Sequence, residues 1–253
     1  MRPPVGAHNL PLAVQVEPSH PDHEKAPGSR EPVEASRPAQ PWPIRVTHWA
    51  NAILLPIMAA SGLQILVAYP NLGAKGDLYS WYHWQGAAPP APLRLGQWLA
   101  GARHWHFAFM WLFTANALVY VVYLFASGEW RRRLFWPPRD ARSAWETALH
   151  DLRIRREPPR PVGLYNGMQR LAYTGVLLVA PLLVLTGLAL YKPVQFPRLT
   201  AVLGGYDFAR ALHLGVLAAL ALFLVVHVVQ VLLHPRTLVD MTVGGQAREE
   251  RPA

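Results

Sequence analysis

Two histidines, His213 and His227, stand fourteen residues apart inside an apolar run from Ala211 to Leu233. Fourteen residues are close to four turns of α-helix, so both imidazoles point to nearly the same side, about 21 Å apart along the axis. Imidazole is costly to leave unpaired in hydrocarbon and needs a partner, a water-filled cavity or a metal. The rise suits two haems stacked across a bilayer, each iron taking one of these nitrogens. The chain has no cysteine. That removes thiolate iron–sulfur ligation, covalent haem attachment, disulfides and cysteine zinc sites, so a redox centre here must be held by histidine without a covalent tether.

The elements that position these residues are apolar spans. Trp49 to Ala68, Trp105 to Ala126, Leu171 to Tyr191 and Ala211 to Leu233 contain no Asp, Glu, Lys or Arg. Each is about 20 residues or longer, enough to cross the hydrocarbon of a bilayer. The expected fold is an all-α membrane protein, a four-helix transmembrane bundle with both termini cytoplasmic. Its parts are a Pro-rich, disordered cytoplasmic tail over 1–43, a four-span domain over 44–240 and a cytoplasmic C-terminal tail over 241–253. The start lacks the basic, apolar and small-residue order of a cleaved signal peptide. His8, His20 and His23 lie in this tail and are expected to be solvated. Orientation comes from the connection between Ser127 and Tyr165, where nine arginines (131, 132, 133, 139, 142, 153, 155, 156, 160) face five acids. Connections on the other side carry few cations, so the middle loop and both termini are placed on the cytoplasmic side of a bacterial inner membrane. Arginines gathered beside spans account for the net charge of +9 through anionic lipid, and nucleic-acid binding is set aside.

The spans repeat. Arg45, His48, Pro56 and Gly62 of the first are matched at an offset of 125 by Arg170, Tyr173, Pro181 and Gly187 of the third. Arg103, His106 and Tyr120 of the second are matched at an offset of 107 by Arg210, His213 and His227 of the fourth. Internal repeats of this kind build membrane bundles. Four histidines fall on repeat positions, with Tyr173 and Tyr120 where a histidine is missing. With the N-terminus inside, His48 and His227 share the inner depth, and His106 and His213 the outer. A two-haem ladder follows, with the fourth span supplying a ligand to each haem.

The remaining residues keep two readings. Gly62 and Gly187 either pack helices or admit a porphyrin face, and Pro56 and Pro181 are candidate kinks. Arg45, Arg103 and Arg210 precede ligand positions by three residues; they pair with haem propionates or snorkel to the interface. His104 is off the repeat register, His83 belongs to an aromatic belt, His150 is solvated, and His234 is a helix cap or faces a quinone headgroup. Asn166, Gln169 and Arg170 either bind a quinone carbonyl or are hydrated helix-end residues.

Arg45-x-x-His48-Trp49, Arg103-x-x-His106 and the His213-to-His227 spacing resemble the bacterial di-haem cytochrome b561 family, which includes membrane cytochrome b subunits of hydrogenases, formate dehydrogenases and thiosulfate reductases. Tyr165-Asn166-Gly167-Met168-Gln169-Arg170-Leu171-Ala172-Tyr173 and Met241-Thr242-Val243-Gly244 are similar to the subgroup that accompanies periplasmic molybdopterin oxidoreductases. The resemblance covers residues 41–245. It implies two haem b, inner on His48 and His227 and outer on His106 and His213, a quinone site near one haem and a periplasmic redox partner near the other. The long N-terminal tail and the long aromatic connection from Tyr69 to Arg103 depart from that pattern. The expected function is electron transfer between that partner and the quinone pool. Its rivals are a stand-alone cytochrome b561 that oxidises a small reductant such as superoxide, and a haemless membrane anchor. A proton- or cation-coupled transporter is disfavoured because the spans lack Asp, Glu and Lys.

Overall fold

A computed structural model describes residues 40–157 and 165–245. The early tail with His8, His20 and His23, the loop residue Arg160 and the last eight residues lie outside the described residues. Four long helices carry the fold: α1 (Trp42–Leu66), α2 (Leu99–Ala126), α5 (Gly167–Tyr191) and α7 (Tyr206–Leu233). Between them lie a two-stranded antiparallel ribbon, β1 (Gly73–Ala74) with β2 (Asp77–Leu78), and the shorter helices α3 (Trp130–Arg133), α4 (Pro137–Asp151), α6 (Pro197–Val202) and α8 (Arg236–Val243). Each long helix is long and apolar enough to cross a membrane, with α7 the most apolar at a mean hydropathy of 2.8. Leu178, Leu222 and Leu232 turn outward, as a lipid-facing surface requires.

Every long helix begins before its apolar window. The window is set by hydrocarbon, whereas a helix needs only satisfied backbone ends and good initiators. Pro43 sits in the first turn of α1, Gly205 precedes α7, and Asn166 caps α5. That cap is reciprocal. Asn166 Oδ1 accepts the Gln169 N–H at 2.8 Å, and Gln169 Oε1 accepts the Asn166 N–H at 3.1 Å. At the far end of α1 helix stops at Leu66, two residues short of the expected window. Pro56 and Pro181 lie inside helices that continue past them.

α1 packs along α2 and α5 along α7, the same two hairpins that the sequence repeat pairs; the hairpins approach each other less closely. One end of the bundle, here the cap side, holds residues 67–98. Arg210 Nη2 donates to the carbonyls of Tyr69 and Asn71 at 2.6 Å each, and the Gln85 side chain pairs with both backbone groups of Leu72, pinning this segment down. Trp81, Trp84 and Trp98 remain exposed on it.

The opposite, tail side carries α3, α4 and α8. α4 docks on the start of α5 so closely that a Cβ on Gly167 would collide with Asp140 O and Ala144 N. Asp140, almost fully buried, accepts from Arg139, from Arg170 at 2.9 Å and from the Trp136 N–H at 2.7 Å. Burial alone would raise its pKa. The Arg139 hydrogen bond, the Trp136 amide and the charges of Arg170 and Arg139 outweigh it and hold the carboxyl at about 2. α8 crosses the expected domain boundary at 240 and ends on Gly244, whose left-handed φ of 111° favours glycine. Its last carbonyls are taken by the start of α1. Arg45 Nη1 donates to Thr242 O at 2.6 Å, Trp49 Nε1 to Met241 O at 3.3 Å, and the Gln40 N–H to Gly244 O at 2.8 Å. This clamp gives the Met241-Thr242-Val243-Gly244 ending a structural use.

Candidate functional site: two histidine pairs

The four repeat-position histidines come together in two pairs. His48 of α1 faces His227 of α7 with ring centres 6.0 Å apart, and His106 of α2 faces His213 of α7 at 6.5 Å. Two imidazoles bound to one metal through bonds of about 2.0 Å place their ring centres about 6 Å apart. Among the described residues no group of three His, Cys, Asp or Glu could hold a bare ion. Two nitrogens alone do not make a metal site, but they are what a porphyrin iron requires once the macrocycle has supplied its four equatorial nitrogens. The residues present therefore fit haem b.

On the cap side the fit extends to the backs of the rings. Ser61 and Thr186, both fully buried, sit beside His106 and His213. Each hydroxyl gives its single proton to the carbonyl one turn back in its own helix: Ser61 Oγ to Ile57 O at 2.6 Å, Thr186 Oγ1 to Leu182 O at 2.7 Å. Its oxygen is left to accept. Ser61 Oγ lies 3.1 Å from His106 Nδ1, and Thr186 Oγ1 lies 2.8 Å from His213 Nδ1. A second acceptor stands beside each ring, Met58 O at 3.1 Å from His106 Nδ1 and Leu183 O by His213. With acceptors only around Nδ1, the proton belongs there and the Nε2 lone pair is free for a metal.

Gly62 and Gly187 serve the same rings. A Cβ at either would lie 3.2 Å from the Cε1 of His106 or His213. Each lets an imidazole edge rest against the helix. A cavity of about 710 Å³ opens in front of this pair, lined by Gly62, Gly187, both histidines, Arg103 and Arg210. That volume is in the range of cofactor pockets, about 300–1,000 Å³.

The tail-side pair has no such brace. His48 Nδ1 is buried without a hydrogen-bond partner, and its ring meets Trp49 edge-on at 5.3 Å. His227 stacks on Phe223 at 5.8 Å. The repeat mate of this pair is a phenol cluster: Tyr173 packs edge-on against Tyr165, whose hydroxyl accepts from Gln40 Nε2 at 2.7 Å and Arg133 Nη1 at 2.9 Å.

The arginines divide. Arg103 and Arg210 line the cavity, Arg103 over the Phe107 ring and Arg210 over Tyr69 while it also binds the cap carbonyls. Arg45 clamps α8 and keeps a buried, unpartnered Nε one turn from His48. Asn166 and Gln169 cap each other and Arg170 pairs with Asp140, so these three act as helix-end residues. His234 caps α7, with Nδ1 3.1 Å from Gln230 O. His104 and His83 are exposed, and His150 lies beside Asp151.

Ser61 and Thr186 escape a search for ligands. The signal that finds them is the same offset of 125, a hydroxyl preceding a glycine in both apolar spans.

The profile of the prokaryotic cytochrome b561 family matches residues 39–244, which include both histidine pairs and all four long helices. The chain belongs to this family. As a family member it is a membrane electron-transfer protein that binds b-type haem. The cytochrome is 37% identical over 204 residues to the putative protein-methionine-sulfoxide reductase subunit YedZ1 of Azospira oryzae, covering 81% of this chain and 94% of the relative. It is 25% identical over 158 residues to the probable Ni/Fe-hydrogenase B-type cytochrome subunit of Bradyrhizobium diazoefficiens, and 22% identical over 154 residues to the probable Ni/Fe-hydrogenase 1 B-type cytochrome subunit of Escherichia coli K12. These two alignments take in 60% and 59% of the cytochrome and span little more than half of each relative, 57% and 58%. No solved structure shows significant similarity to the chain.

Proposed function

We propose that this cytochrome carries two haem b groups, one between His48 and His227 and one between His106 and His213, and passes electrons between the quinone pool and an oxidoreductase outside the bacterial inner membrane. The observation that carries the reading is the use of α7 twice: His213 and His227 meet partners from α2 and α1 at centre distances of 6.5 and 6.0 Å, at two depths of one bundle. The arginine-rich tail side faces the cytoplasm and its anionic lipid, and the cap side faces out. Haem b supplies reversible one-electron iron chemistry.

The chain's own residues hold and insulate it. His48 with His227, and His106 with His213, would each hold one haem through two imidazoles, an arrangement that would suit electron transfer over oxygen binding. The Nδ1 acceptors fix two of the four tautomers. Arg103 and Arg210 offer cations to propionates at the cap-side cavity, and Arg45 offers its free Nε at the tail side. The exposed tryptophans of the cap are the outer face on which a partner sits. For that partner the Azospira relative, named as a subunit of a protein-methionine-sulfoxide reductase and similar over almost its whole length, favours such a reductase over a hydrogenase; the molybdopterin type is what the resemblance of Tyr165 to Tyr173 and Met241 to Gly244 implies.

The test is a reduced-minus-oxidised spectrum of the detergent-purified chain with haem counted per polypeptide, repeated for His213→Ala and His227→Ala. The reading expects near two haem b, with each substitution removing a different one. A chain without haem overturns it in favour of an anchor subunit.

A further inference from the structure

We infer that Ser61 and Thr186 are positioning residues that hold His106 and His213 as Nδ1–H donors and thereby lower the reduction potential of the cap-side haem. The inference rests on the ligand assignment proposed above. An imidazole whose Nδ1–H is given to an oxygen acceptor gains negative charge on Nε2 and becomes a stronger donor to iron. A stronger donor stabilises the ferric more than the ferrous state. Both hydroxyls are free to accept, because the nearest acceptor for the proton of each is a carbonyl of its own helix, Ile57 O at 2.6 Å or Leu182 O at 2.7 Å. Carbonyls of Met58 and Leu183 stand by the same two nitrogens.

Geometry repeats to the atom. Ile57, Met58, Ser61 and Gly62 on α1 stand to His106 as Leu182, Leu183, Thr186 and Gly187 on α5 stand to His213, at the offsets of 125 and 107 that relate the two hairpins. Helix packing alone does not require a hydroxyl at both positions; valine would fill the same volume at Thr186. The tail-side pair provides an internal control, since His48 Nδ1 is buried with no acceptor. The axial set at one depth is polarised from behind, and His48 at the other depth is not.

The experiment is potentiometric titration of the purified full-length cytochrome, following the α-band, after haem has been counted in the same sample. Thr186→Val and Ser61→Ala are each expected to retain two haems and move one component to more positive potential. The expected size is about a fivefold rise in its reduced-to-oxidised ratio at fixed ambient potential, the equivalent of one hydrogen bond. The double variant moves it further, Thr186→Ser restores the wild-type value, and the moving component is the one that persists in His48→Ala. If Thr186→Val sheds haem, Ser61→Ala and Thr186→Ser carry the same comparison. Two haems with unmoved potentials, a negative shift, or a shift in the component that His48→Ala removes overturns this inference alone. Absence of haem from the wild-type chain overturns the ligand assignment itself.

Discussion

The two histidine pairs are made of the same side chain on facing helices, yet only one is built into its surroundings. At the cap side each ring has a glycine against its edge and a hydroxyl and a carbonyl by its Nδ1. At the tail side His48 is held by Trp49 and by the helix it sits on, while its neighbour Arg45 is occupied with the end of α8. The lesson is that repeat symmetry is kept where equivalent positions of the two hairpins meet in one site and lost where non-equivalent positions meet. The cap-side pair joins equivalent positions of α2 and α7. The tail-side pair joins α1 to α7, and the equivalent place between α5 and α2 has tyrosines.

Removing a ligand breaks the comparison most severely. His213→Ala is expected to take away the cap-side haem and leave the other, and His227→Ala the reverse, each lowering haem content from near two to near one per chain by pyridine haemochrome assay.

Gly187→Ala probes the brace. The added methyl lies 3.2 Å from His213 Cε1, so the ring must shift by a few tenths of an ångström. Broadening or partial loss of the cap-side haem signal is expected, with the tail-side signal unchanged. Gly175→Ala, on the same helix with open space around it, should change neither. Equal effects of the two alanines would show that the close approach at Gly187 has no consequence.

Asp140 tests whether the tail side depends on packing outside the membrane. Its carboxyl is held at about 2, below the ordinary 3.8, so ionisation contributes stability that is complete above the unfolded value and is lost as pH falls through about 2. The shift corresponds to roughly 2 kcal/mol at neutral pH. Asp140→Asn should lower the thermal midpoint of the purified protein at pH 7 and shrink that difference on acidification. A deficit that is constant with pH would remove the ionic explanation.

The smallest effect is expected at the clamp. Arg45→Gln loses the bond to Thr242 O, an exposed contact worth about 1 kcal/mol. Faster proteolysis near Pro235 with both haems retained is the expected outcome. Loss of the tail-side haem instead would make Arg45 a cofactor contact before a structural one.

Much of this architecture was legible because hydrophobic length and charge act locally. A run of apolar residues specifies a membrane helix without reference to its neighbours, and the 125 and 107 offsets that relate the hairpins are visible by inspection. Depth along a span paired His48 with His227 and His106 with His213 before any contact was known. Ser61 and Thr186 were not legible, since an isolated hydroxyl in an apolar helix bonds its own backbone by default, and its second partner comes from another helix. Asn166 and Gln169 were ambiguous for the opposite reason: their spacing fits a cap and a ligand site equally, and only the closed reciprocal bonds decide.

What the sequence determined by itself was the number of membrane helices, their order and the depth of each histidine, because helical rise and hydrocarbon thickness convert residue number directly into position. Tertiary structure alone decided how the paired rings face each other, which of them have acceptors beside Nδ1 and the carbonyls that Arg45 and Arg210 bind. Those properties depend on the rotation and approach of neighbouring helices, and no single helix contains that information.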